Sequence, residues 1–128
     1  MVAFYSPGEA VRRSGLSLDT LRYYERIGLL DRVARDRSGR RRFDDDDLTW
    51  LGVLVCLRET GMPIARMRRY AELVRGGGDT IAERVALLAE HDAQVEEQIR
   101  TLRVQQEHLR KKLAAYRETL AAGKEAGK

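Results

Sequence analysis

Cysteine occurs once in the 128 residues, at Cys56. One thiol excludes an internal disulfide framework and a metal centre built from several thiolates of one chain. No apolar run approaches membrane-spanning length, and the first residues lack a hydrophobic signal region, so a cytoplasmic location is expected. The two histidines, His91 and His108, are seventeen positions apart on one helical pattern, too far to share a metal. An exposed histidine on such a helix reads as plain surface. With no nucleophile beside a base, neither an enzyme nor a cofactor is expected. Aromatic residues are 6% of the chain and charged residues 34%, a balance that suits a helical protein with much solvated surface.

Lysine is missing from the first 43 residues, which hold ten arginines against five acids. The remainder has fourteen basic residues against fifteen acids, so the whole net charge of +4 sits in the first third. Arginine favours planar, bidentate contact with phosphates or base edges. A GC-rich coding sequence is the alternative source of such a composition.

Proline is scarce, and both prolines stand where helices are read to begin. Ser6-Pro7-Gly8-Glu9 is a helix start, with Ser6 as cap and Glu9 at the capping-box position. That helix runs to about Ser14 and stops at Gly15. Ser17 caps a second helix that ends at Arg26, before Gly28. Two short helices joined by a glycine turn make a helix-turn-helix candidate. Leu18, Leu21, Tyr24 and Ile27 recur every three residues and face inward with Val11. Asp19, Arg22, Tyr23 and Arg26 share the other side, a cationic face suited to phosphates. Solvated pairing of Arg22 and Arg26 with Asp19 or Glu25 is the bland alternative.

Arg35 to Arg42 carries five arginines around Ser38-Gly39. Between the short extended pieces Val33-Ala34 and Arg41-Phe43, that pair reads as a hairpin tip, either a wing against a nucleic-acid backbone or a basic loop. One of the four acids Asp44 to Asp47 caps a third helix. This helix is apolar almost all round and is expected to be centrally buried. A fourth helix starts at Met62-Pro63, with Ile64, Met67, Tyr70, Ala71 and Leu73 inward. The triplet Gly76-Gly77-Gly78 reads as a linker, with no strand before it and no Lys-Ser/Thr after it to make a phosphate cradle.

Beyond it, apolar residues recur at alternating spacings of four and three over more than five heptads. Ile81, Val85, Leu88, Val95, Ile99, Leu102, Leu109, Leu113 and Tyr116 form the seam of a coiled coil, interrupted by Asp92 and Gln106. About 40 residues at 1.5 Å each make a rod of about 60 Å, whose seam needs a partner, most simply a second copy. The expected organisation is mainly α: a winged helix-turn-helix DNA-binding head over 1–75, a glycine-rich linker over 76–79, a dimerising coiled-coil helix over 80–122 and a frayed tail over 123–128.

Three stretches carry a family likeness. "TLRYYERIGLL" (20–30), "SGRRRFDDDDL" (38–48) and "LRETGMPIARM" (57–67) resemble the second helix, the wing and the third-to-fourth helix junction of the MerR family of bacterial transcription regulators. The likeness spans essentially the whole chain. It departs at Arg40, where the family usually has tyrosine after the wing glycine. The resemblance implies a homodimer, joined through an antiparallel coiled coil, on an inverted repeat in a long promoter spacer. Distorting that spacer, at a cost of roughly 1–6 kcal/mol, presents the promoter to RNA polymerase. The candidate DNA-binding residues are Ser17, Thr20, Arg22, Tyr23, Arg26, Arg37, Arg40 and Arg41, with Arg22 placed on a base edge or a phosphate and arginine standing at Arg40 for the family's tyrosine. No large sensor domain and no metal-sensing cysteines are expected. Cys56, in "CLRETGMPI", resembles the thiol of the branch associated with aldehyde and nitrosative stress, where chemistry on sulfur would perturb the joint between head and coil. The competing reading of Cys56 is a small buried hydrophobe. Two rival functions are an effector-independent DNA-binding repressor or architectural protein, and a coiled-coil adaptor for a protein partner.

Overall fold

The computed structural model of the chain describes residues 3–30 and 34–123. Strand β1 (Phe4–Tyr5) leads into helices α1 (Pro7–Ser14) and α2 (Leu18–Arg26). Both helices start as their sequences dictate. The Ser6 hydroxyl accepts from the backbone N–H of Glu9, and the Ser17 hydroxyl accepts from that of Thr20. The Glu9 carboxylate turns forward to Arg12 and Arg13, which hold it below the usual carboxylate range. Gly15 ends α1 at φ +78, a left-handed conformation that few other residues adopt without strain.

Strands β2 (Ala34–Arg35) and β3 (Arg41–Asp44) form the hairpin expected around Ser38-Gly39. Val33, counted as extended from sequence, lies outside the described residues. The order β1-β3-β2, antiparallel throughout, gives β3 a second partner that the sequence reading lacked. A strand of two residues carries no periodicity, so β1 exists only through its pairing with β3.

Helix α3 (Asp45–Glu59) opens on a full capping box: Asp44 accepts from the N–H of Asp47, and the Asp47 carboxylate accepts from that of Asp44. Burial, and the neighbouring Asp44 carboxylate, raise the pKa of Asp47 above the ordinary aspartate value. The expectation of a helix buried all round needs correcting. Leu51, Leu54 and Leu57 are buried, whereas Gly52 and Cys56 are exposed. Spacings of three place the buried leucines on one side, and among the described residues of the head Gly52 and Cys56 on the other stay exposed. Helix α4 (Ile64–Arg75) buries Met67, Ala71 and Leu73, while Ile64, expected inward, is exposed. Ile64 is the first residue of its helix, at the end of the buried stripe.

Phe43, Leu21, Leu29, Leu51, Leu54 and Met67 are fully buried and form the core of the head together with Ala10, Tyr24 and Leu30. Each large side chain contributes about 1.5–3 kcal/mol through the apolar area it removes from water.

The glycine triplet leads into a 3₁₀ turn (Gly77–Thr80) with its own hydrogen bonds. Thr80 donates to the carbonyl oxygens of Leu73 and Gly77, and Arg84 donates to those of Val74 and Gly77. These side chains occupy carbonyls that the end of α4 leaves open. Helix α5 (Ile81–Ala121) follows, 41 residues long.

The chain divides into two compact units, Met1–Leu87 and Leu88–Lys128. Within the second, Leu102, Leu109, Leu113, Tyr116 and Leu120 are exposed, and Val95 is half-buried. His91 is buried, contrary to its reading as plain surface, and His108 is exposed. His91 follows Leu88 by three residues, which puts it on the flank of the seam. No helix among the described residues is long and apolar enough to cross a membrane.

Candidate nucleic-acid interface

Helix α2 divides its residues sharply. Leu21 and Tyr24 are buried, and Asp19, Arg22, Tyr23 and Arg26 are exposed. Leu21 and Tyr24 hold the helix against the core and so orient the opposite face outward. Arg22 touches Asp19 only at 3.8 Å, and both side chains are largely solvated. Such a pair is worth little, which leaves the guanidinium available. Arg26 lies over the ring of Tyr23, 5.5 Å from its centroid, and the Tyr23 ring lies 6.2 Å from that of Tyr24. The aromatic ring therefore steadies one cation of the row. Ser17 and Thr20 stand at the front of the helix, with hydroxyls 2.9 Å apart. Their shared hydrogen bond and the cap define how the chain enters α2.

The wing tip is organised by Asp36. One carboxylate oxygen accepts from the backbone N–H of Ser38, the Ser38 hydroxyl and the backbone N–H of Arg40, at 2.9, 2.7 and 2.9 Å. These bonds, with the Ser38 hydroxyl foremost, hold the Asp36 carboxyl below the ordinary aspartate value. Gly39 completes the turn at φ +86, and Arg35 donates to its carbonyl oxygen at 3.0 Å. The result is a stiff tip with Arg37 and Arg40 exposed on it. Asp36 went unremarked among the arginines, although Asp-x-Ser-Gly is the signature of a turn in which the acid bonds backbone two residues on.

Alternation along β3 separates its arginines. Phe43 is buried toward the helices, so Arg41 shares its face and Arg42 takes the other. Arg42 lies 3.9 Å from the ring centroid of Phe4 on β1. The Nε of Arg41 donates to Glu25 of α2 at 2.7 Å, with both side chains at least four-fifths buried. The eight residues implicated by sequence thus fall into three settings. Arg22, Tyr23 and Arg26 are open on α2, and Arg37 and Arg40 are open on the wing. Ser17, Thr20 and Arg41 are tied into the local frame.

Cys56 is exposed on α3 of the single chain. It follows Leu54 by two residues and falls between the buried Leu54 and Leu57. Among the described residues, no three His, Cys, Asp or Glu side chains gather closely enough to hold a metal ion.

Residues 5–73 match the MerR HTH family regulatory protein, and residues 48–112 match the MerR DNA-binding region. An uncharacterized HTH-type transcriptional regulator of Haemophilus influenzae is 42% identical over 119 residues, 93% of this chain and 88% of that protein. The crystal structure of HiNmlR, a MerR family regulator lacking the sensor domain and bound to promoter DNA, superposes with a TM-score of 0.86 at 41% identity, covering 94% of this chain and 92% of that one. A putative MerR family transcriptional regulator from Listeria monocytogenes superposes at 0.85 with 33% identity, over the same shares of the two chains. The residue patterns and these likenesses converge: the chain belongs to the MerR family of helix-turn-helix transcriptional regulators.

Proposed function

We propose that this regulator acts in the cytoplasm as a homodimer on an inverted repeat within a promoter spacer, distorting the DNA so that RNA polymerase can use the promoter. Its work is binding and deformation, without catalysis. The observation that carries this reading is the pair of open arginine-bearing surfaces on α2 and the wing, on a fold similar to that of HiNmlR, which was crystallised bound to promoter DNA. Arg22 reads a base edge or a phosphate, and Tyr23, Arg26, Arg37 and Arg40 hold the backbone. The dimer reading rests on the apolar seam: Leu102, Leu109 and Tyr116 are each more than half exposed in the single chain. A second helix laid along them removes that surface from water.

A thiol-reactive signal at Cys56 is the regulatory part of the proposal. Its exposure makes the sulfur reachable by an aldehyde or a nitrosating agent. A promoter-reporter assay with Cys56→Ser tests it: aldehyde-dependent activation disappears if the reading holds and survives if it is wrong. The DNA-binding part is tested by titrating a duplex that carries the repeat against increasing salt. Affinity falls steeply for a phosphate-contacting dimer, with a log–log slope of about −0.9 per phosphate neutralised. A flat salt response favours the adaptor reading.

A further inference from the structure

The pair Glu25–Arg41 stands out because it places an acid on the helix proposed to face DNA. Electrostatics alone disfavours a carboxylate there, since every negative charge near the duplex repels phosphate. Yet this carboxylate takes the Arg41 Nε at 2.7 Å, and the side chains are only 15% and 20% exposed. Sixteen positions of sequence separate the two residues, and they join α2 to the inner edge of the wing. Register explains the meeting. Phe43 anchors β3 in the core, alternation turns Arg41 to the same side, and Glu25 lies one residue beyond the buried Tyr24 on α2. The bonds around Asp36 and Gly39 stiffen the wing's tip.

We propose that Arg41 and Glu25 are positioning residues that act as one strut, fixing the wing relative to the recognition helix so that both surfaces meet one duplex in register. Arg41, one of eight residues implicated by sequence in DNA contact, then works through Glu25. Glu25 supports DNA binding despite its charge. Burial strengthens the pair, because two partly desolvated charges in a short hydrogen bond are screened far less than a surface pair. The inference rests on the DNA-binding reading above.

The sign of one substitution tests it. Glu25→Gln keeps size and removes the negative charge. If Glu25 is only an acid beside DNA, the variant binds as well as the wild type or more tightly. If it is the strut, the variant binds about ten- to hundredfold more weakly, the size of one charge-assisted hydrogen bond. The probe is a duplex selected by the wild-type chain from a random pool, titrated by fluorescence anisotropy. A double-mutant cycle with Arg41→Gln completes the experiment. A strut predicts that the double variant is no weaker than either single one. Hydroxyl-radical footprints of the singles should lose wing-side protection and keep that of α2, while Glu25→Gln retains a cooperative melting transition above the titration temperature. Unchanged or tighter binding by Glu25→Gln, or additive losses in the cycle, overturns the proposal. A wild-type chain that selects no sequence overturns the DNA-binding reading beneath it, a distinguishable outcome.

Discussion

The indole N–H of Trp50 donates to the carbonyl oxygen of Leu29 at 2.7 Å, joining α3 to the turn that follows α2. The ring of Trp50 also stacks on Tyr70 of α4, with centroids 5.7 Å apart and planes 19° from parallel. One side chain therefore ties α3 both to the turn after α2 and to α4. Arg75 adds a second tie, donating to the carbonyl oxygen of Gly28. Trp50→Phe keeps most of the stacking and leaves the Leu29 carbonyl without this donor. It should lower stability by about 1–3 kcal/mol, the cost of an unsatisfied buried acceptor. Urea unfolding followed by circular dichroism measures it.

Phe43 is completely buried at the centre of the three-stranded sheet. Phe43→Ala removes a whole ring from a site walled by strand and helix, and should cost about 3–5 kcal/mol. In a domain of marginal stability that loss unfolds a measurable fraction at 37 °C, visible as a lowered melting temperature.

Asp47 gives a pH-dependent prediction. Its pKa is raised in the folded chain, first by burial and then by neighbouring Asp44 and Asp46. A raised value means that the folded state disfavours the charged form. The penalty is therefore present above the folded pKa and absent below the unfolded one, near 3.8. Asp47→Asn retains an oxygen for the Asp44 N–H and carries no charge. Its melting temperature should exceed the wild type's at pH 7, and the difference should shrink toward pH 3. A gain that is equal at both pH values contradicts the assignment.

Arg22→Ala should weaken binding to the selected duplex by about 1–3 kcal/mol and relax sequence preference if Arg22 reads a base edge. If it touches only phosphate, the loss is the same on every sequence and the salt slope falls by about one contact. Competition titrations on two duplexes differing at single positions separate these outcomes.

Much of the fold was legible because it is local. Ser6 and Ser17 cap their helices, Gly15 and Gly39 turn where only φ above zero fits, and the leucine spacings of α2 mark its buried side. The open α2 row was readable for the same reason, since periodicity alone divides a helix into faces. What escaped depends on contacts distant in sequence. Strand β1 has no pattern of its own and forms by pairing Phe4 with Asp44 and Tyr5 with Phe43. The open side of α3, with Cys56, could not be read from composition, because an apolar helix is buried only as far as neighbours cover it. The meeting of Arg41 with Glu25 requires the sheet register and the docking of α2 together. A run of five arginines conceals which one turns inward.

The central claim is that two chains act together on one duplex through their seams. Sedimentation velocity of the chain mixed with a duplex bearing the selected inverted repeat tests it most directly, alongside the seam variant Leu109→Asp. The wild type is expected to sediment as a dimer alone and as two chains per duplex in the complex, and the variant as a single chain that no longer holds the full repeat. A wild-type monomer at micromolar concentration, or a variant monomer that binds the full repeat as tightly as the wild type, contradicts it.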